Sequence, residues 1–175
     1  MEKVTFRQIE KDDLPLLRDW RNQEGVRKFC REYRLLNMIN QQDWFERVSN
    51  SKEDDMFLIV VDDKPVGVCG LTHINWKDRH CELSWYLGDA ISQLKKVKIA
   101  PKISQFLRKK GFEEYNLNRL WAEIYSFNDV MIKYVLRGGF KQEGILRQSV
   151  FWDGKYWDSV VLSMLSEEYF KKKKM

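Results

Sequence analysis

A chain of 175 residues that is 43% hydrophobic and 14% aromatic has apolar material for the core of one domain of ordinary size. It contains no run of about 18 apolar residues to span a bilayer, and its first residues, MEKVTFRQIEKDD, are charged where a signal peptide carries an apolar core. A soluble cytoplasmic protein with no membrane partner is expected.

The elements follow in chain order. Val4 to Ile9 alternate as a strand does, and Asp12 to Asn22 opens on an acidic N-cap residue and sets Leu14, Leu17 and Trp20 on one helical face. Gln41 to Val48 reads as a second short helix. Met56 to Asp62 is an apolar strand that turns at Asp63-Lys64 into Pro65 to Ile74, which makes a hairpin. A polar turn at Asn75 to Asp78 leads to the strand His80 to Leu87, ended by Gly88. Ile99, Ile103, Phe106 and Leu107 then recur at helical spacing. Proline is tolerated in the first helical turn, so Pro101 places the start of this helix near Val97 to Ala100, and Gly111 closes it. Arg119 to Ser126 is a strand and Asn128 to Arg137 a helix ending at Gly138-Gly139. Ile145 to Trp152 pairs with Tyr156 to Leu165 across Asp153-Gly154, a strong hairpin signal. The expected fold is α/β (α+β): one domain over residues 1–170 with a mixed, mostly antiparallel central sheet flanked by helices, followed by a basic tail at 171–175.

The net charge is +5, and the excess gathers in two places. Lys95, Lys96, Lys98, Lys102, Arg108, Lys109 and Lys110 form an internal cluster, and Lys171 to Lys174 a terminal one that reads as solvated. The internal cluster is the one suited to an anion. Phe106 and Phe112 fall on the apolar face, so nucleic acid is not an expected partner. Cys30, Cys69 and Cys81 show no CxxC spacing, and His73 and His80 do not fall at ligand spacing with them. Plain thiols and no metal are expected.

This order of elements, with Val66-Gly67 in the third strand, Glu82 to Gly88 in the fourth, Asn128 before the late helix, and Gly139-Phe140 followed by Glu143-Gly144, resembles the GNAT superfamily of acetyl-CoA-dependent N-acetyltransferases over nearly the whole chain. DLPLLRDWRN, QQDWF and GGFKQEGILRQSVFWDGKYWDSVVLSML are most similar to the branch of ribosomal-protein N-terminal and nucleotide-amino-sugar acetyltransferases. The resemblance implies acetyl-CoA as co-substrate. It also implies transfer of the acetyl group to a primary amine, of a small molecule such as an amino sugar or of a protein N-terminus, by direct attack with general-base help. A homodimer is compatible with it.

Residue by residue, the resemblance places Glu82 as the general base, with Glu123 in reserve, and Trp85, Tyr86 and Leu87 as the backbone that pairs with the pantetheine arm. Asn128 matches the family's pantetheine contact. The pyrophosphate loop, Q/R-x-x-G-x-G/A, falls on Gln93 to Lys98, with Ile99 beyond it. Gln93 matches, Val97 lies inside the motif, and Lys96 and Lys98 stand where the family has glycines. Glycine there lets backbone N–H groups approach phosphate. Lysine obstructs that approach and offers ammonium charge instead. The family's acid, a tyrosine, aligns with Val135, while Tyr134 is one place early, about 100° around the helix. Trp20, Arg21 and Asn22 match the segment on the acceptor side. The alternative is a degenerate GNAT domain that binds an acyl-CoA or an anionic partner without turnover.

Overall fold

The computed structural model describes residues 3–89 and 91–173. Among these, seven strands form one sheet in the order β1-β2-β3-β4-β5-β7-β6. They are β1 (Val4–Gln8), β2 (Asp55–Val61), β3 (Lys64–Asn75), β4 (His80–Leu87), β5 (Arg119–Tyr125), β6 (Lys141–Trp152) and β7 (Lys155–Leu165). Every neighbouring pair is antiparallel except β4 with β5. The helices are α1 (Leu14–Asn22), α2 (Glu24–Arg27), α3 (Met38–Asn50), α4 (Gln93–Arg108), α5 (Asp129–Arg137) and α6 (Ser166–Lys173). The expected mixed, mostly antiparallel single-domain fold is what the chain adopts.

Period-two alternation sorts β2 between two cores. Phe57, Ile59 and Val61 join Ile99, Ile103 and Leu107 of α4, while Met56, Leu58 and Val60 join Leu14, Leu17 and Trp20 of α1. With helices on both faces, a strand must be apolar throughout, which is why DMFLIVV shows no polar face. Turns are made where both central residues take positive φ, at Asp62-Asp63 (47° and 62°) and Asp153-Gly154 (51° and 74°). The first lies one residue before the expected Asp63-Lys64.

Four helix boundaries differ from expectation. α3 begins at Met38, ahead of Gln41, because Asn37 and Asn40 cap each other's backbone N–H groups reciprocally. α4 begins at Gln93, capped by Ser92, whose side chain accepts from Lys95 N–H. Pro101 therefore lies inside α4 and removes a main-chain donor, a defect of about 3 kcal/mol. Burial of Ile99, Ile103 and Leu107, each 1% exposed or less, contributes about 1.5–3 kcal/mol apiece and keeps the helix continuous. Gly111 does not end it: the chain runs into a π-helical turn at Lys109–Glu114, where a Cβ on Gly111 would meet the Leu120 side chain. Finally, α6 extends through Lys173, whose ammonium pairs with Glu113 at 2.7 Å, so residues 171–173 are helical.

Candidate active site

β4 and β5 are hydrogen-bonded as a parallel pair over three positions only, His80–Glu82 against Arg119–Trp121. β4 then continues to Leu87 beside β3, and β5 to Tyr125 beside β7, so the two strands diverge. Past the vertex, no strand among the described residues pairs with the outer edge of β4 over Leu83 to Leu87. An open sheet of this kind offers a bed for an extended amide chain. Gly88, at the end of β4, fits because a Cβ there would press on the Trp20 indole at about the 2.5 Å level.

At the vertex sits a charged cluster. Arg31, in the segment after α2, donates from Nη1 to Glu82 Oε2 at 2.9 Å and from Nη2 to Glu82 Oε1 at 2.6 Å. The same Nη2 donates to Glu123 Oε2 at 3.1 Å, which ties β4 to β5 where they part. Ser159 on β7 donates to Glu123 Oε1 at 2.6 Å, and His73 Nδ1 lies 3.1 Å from Glu82 Oε2. The Glu82 side chain is only 7% exposed. Its carboxylate is thus buried with matched donors, the condition under which a buried charge is tolerated. The two-point bond to Glu82 raises the Arg31 guanidinium above its ordinary range.

The segment bearing Arg31 is held by Asn22, which donates to Leu36 O at 2.8 Å and accepts from Leu36 N–H at 2.7 Å. Arg27 donates to Tyr33 O at 3.0 Å across the same turn. Around it stand rings and cations: Arg21 lies 5.8 Å from the Tyr86 ring centroid, Arg27 5.8 Å from that of Trp152, and Lys28 5.0 Å from that of Phe29. Phe29 stacks on Phe127, which packs edge-on to Trp157. Burial pushes the Tyr86 and Tyr125 hydroxyls and the Cys30 thiol up, so all three stay protonated near neutral pH.

The residues expected on the acceptor side divide. Arg21 faces the vertex region, but Trp20 is 6% exposed in the core and Asn22 is engaged with Leu36, so neither side chain is presented to a ligand. The expected pyrophosphate loop is instead the opening of α4. Val97 there is 69% exposed, as is Leu94, whereas Ile99 is 1% exposed among the core side chains and is corrected as a ligand contact. Lys96 Nζ lies 4.0 Å from Asp89 Oδ1. The Gln93 side chain lies outside the described residues. At Asn128 the side chain makes no cap bond, and its backbone carbonyl accepts from Met131 and Ile132 N–H instead. The Tyr134 hydroxyl shares a 2.9 Å hydrogen bond with Ser104, joining α5 to α4, and its ring meets Trp85 edge-on at 6.5 Å.

Arg31 and His73 were not singled out for this site from the sequence. Arg31 lies in FCREYR, which has no periodicity to give it a direction, and the placement of His73 depends on a strand irregularity that leaves no composition signal. Among the described residues no group of three or more His, Cys, Asp or Glu is placed to hold a metal ion, and no helix is long and apolar enough to cross a membrane.

A sheet opened between its parallel pair, with a helix N-terminus following the first strand and a carboxylate at the vertex, is the frame of an acyl-CoA-dependent transferase. The chain belongs to the acetyltransferase (GNAT) domain family, whose profile matches residues 3–141. It is 26% identical over 173 residues to the uncharacterised N-acetyltransferase p20 of Bacillus licheniformis, with 96% of each chain covered. To the SPbeta prophage-derived uncharacterised N-acetyltransferase YokL of Bacillus subtilis strain 168 it is 23% identical, covering 96% of this chain and 93% of the relative. Its fold superposes on spermidine N-acetyltransferase from Vibrio cholerae in complex with CoA and spermine, with a TM-score of 0.83 at 18% identity over 95% of this chain and 98% of the other. A chimera of that enzyme with hSSAT gives a TM-score of 0.86 at 17% identity over 95% and 98%. The protein is an acetyl-CoA-dependent N-acetyltransferase of the GNAT family.

The residues present fit that co-substrate. The splay can receive the pantetheine arm, and the first turn of α4 carries N–H groups that no helical carbonyl reaches.

Proposed function

We propose that the acceptor is a primary amine on a molecule that also carries negative charge, an amino sugar on a nucleotide carrier, and that the reaction is direct attack assisted by the carboxylate at the vertex. The observation that carries this reading is the cationic and aromatic wall beside Glu82. Arg31 binds Glu82, Arg21 lies over Tyr86 of the same strand, and Arg27 and Lys28, shortly before Arg31 in the chain, lie over Trp152 and Phe29; ring faces with guanidinium groups are what a base and a diphosphate require. A polyamine brings no anion for Arg21, Arg27 or Lys28 to bind. A protein N-terminus is the second reading: the open segment before α3 leaves room for a peptide, with Tyr33 68% and Leu35 67% exposed.

In this proposal Glu82 provides the general-base centre, Arg21 the acceptor anion contact, and Trp85, Tyr86, Leu87 and Asn128 the bed for pantetheine. Gln93, Lys96, Val97 and Lys98 meet the phosphate end, with ammonium charge taking the place of glycine amides. Tyr134, polarised by Ser104, delivers a proton to the departing sulfur. The protein works in the cytoplasm, and a homodimer would use the edge strand β6, where Ile145, Leu146 and Phe151 are 51%, 47% and 61% exposed.

The test has two arms. Thermal shift with acetyl-CoA, free pantetheine and ADP is run on wild type and on the Lys96→Ala, Lys98→Ala double variant. Thiol release from acetyl-CoA is then followed with a nucleoside-diphosphate amino sugar, a peptide with a free N-terminus, and spermine. Stabilisation by acetyl-CoA that weakens in the double variant, with turnover fastest on the nucleotide-linked amine, is the expected result. Spermine as the best acceptor would refute the anionic-acceptor reading. Failure of acetyl-CoA to bind would favour a degenerate domain.

A further inference from the structure

We propose that His73 is the group that takes the proton from the acceptor amine, with Glu82 behind it as the orienting carboxylate. The proposal rests on the acetyl-transfer reading above and moves the proton-accepting atom from the Glu82 carboxylate to the His73 ring, leaving Glu82 the supporting role. Three observations carry it.

The first is that Glu82 has little left to offer. Oε1 accepts from Arg31 Nη2, and Oε2 accepts from Arg31 Nη1 and faces His73 Nδ1. With the side chain 7% exposed, an ammonium group cannot reach either oxygen without displacing a donor. The second is the exposure of His73, whose side chain is 66% exposed and whose Nε2 makes no hydrogen bond among the described residues. With Nδ1 3.1 Å from the Glu82 carboxylate, Nε2 is the ring nitrogen left to face solvent and an incoming amine, as a base backed by a carboxylate does.

The third is the backbone that sets this up. Thr72 pairs with Glu82 and the next ladder pair is Asn75 with His80, so His73 and Ile74 oppose Cys81 alone. In a regular strand His73 would oppose Cys81 on the core face. The extra residue puts Ile74, 3% exposed, in that core place beside the fully buried Cys81, and leaves His73 with Thr72 on the Glu82 face. His73 takes φ +51°, a left-handed conformation that a non-glycine residue adopts at a cost of about 1–3 kcal/mol. Bulges of this kind re-aim side chains beside active sites. The charged groups facing His73 are Glu82 from β4 and, beyond it, Arg31, with Glu123 of β5 on the far side of Arg31.

The step balances as follows. The amine arrives as R–NH3+; His73 Nε2 takes one proton and passes it to water. The freed nitrogen lone pair forms a C–N bond to the thioester carbonyl carbon, and the C–S bond breaks with its electron pair going to sulfur. The nitrogen sheds its second proton, which reaches the thiolate through the Tyr134 hydroxyl. The products are the acetamide, CoA–SH and one released proton.

The test uses His73→Asn, since asparagine accepts positive φ, and His73→Gln. Nitrogen NMR of the histidine rings in the wild-type protein reads the tautomer, and kcat/KM is followed against pH with the fastest amine of the panel above. The expected results are a neutral His73 ring protonated at Nδ1, and a loss of at least about 100-fold in kcat/KM near neutral pH in both variants. The deficit narrows as pH approaches the amine's own ionisation, where free base no longer needs a proton acceptor. A proton on Nε2, or variants with the wild-type rate and profile, would overturn the proposal alone. Wild-type protein that binds acetyl-CoA yet turns over no amine would refute the acetyl-transfer reading, and this proposal with it.

Discussion

Removing Arg31 tests whether the vertex is a buried electrostatic unit. Arg31→Ala deletes three hydrogen bonds, at 2.9, 2.6 and 3.1 Å, and leaves two carboxylates facing each other. Their side chains are 7% and 19% exposed. Breaking a buried pair on one side costs about 3–5 kcal/mol. Arg31 itself is 52% exposed, so water enters the vacated place, and the cost falls to about 1–2 kcal/mol. For a chain of this size each kcal/mol moves the melting midpoint by about 2–4 °C, so a drop of about 2–8 °C is expected at pH 7. Thermal melts of Arg31→Ala, Glu82→Gln and the double variant form a cycle. The double variant should lose about 1 kcal/mol less than the two single losses added together, because the second change no longer strands a charge. Strict additivity, or a single-variant drop within 1 °C, would mean that the vertex behaves as ordinary solvated surface and that Glu82 is not committed to Arg31.

Gly88→Ala should lower stability by about 1–3 kcal/mol through overpacking against the Trp20 indole, checked by denaturant melts, and Gly154→Ala, with nothing near its Cβ site but φ +74°, should cost less. Asp13 is held below the usual carboxylate range by the Arg7 guanidinium, Glu143 by Arg119, and Glu32, at about 2, by Arg34. The unfolded chain therefore binds protons first as pH falls, so stability is full above about pH 5 and is lost as pH drops through 4 toward 2; melts in that window that stayed level would contradict the pairing. Burial pushes the Cys81 thiol up to about 12 and the Cys69 and Cys30 thiols upward as well. A thiol reagent at pH 7.4 should accordingly label fewer than one cysteine per native chain and all three in denaturant.

The sequence by itself determined the order of the strands, the two hairpins and the mixed sheet, because alternation and turn pairs such as Asp153-Gly154 are local signals that packing here reinforces. It failed at Pro101, whose local preference for a first turn lost to the burial of Ile99, Ile103 and Leu107, and so it took the opening of α4 for a loop. It misjudged Trp20 and Asn22 because an amphipathic pattern says which face is apolar but not whether a polar neighbour is spent on the backbone, as Asn22 is on Leu36. Only the tertiary structure decided the vertex: Arg31 lies 51 residues from Glu82 and 92 from Glu123 along the chain, and it meets both only where two parallel strands part. His73 reaches the same carboxylate through one extra residue in β3, a change of face that period-two reading cannot foresee because the bulge exists only against its partner strand.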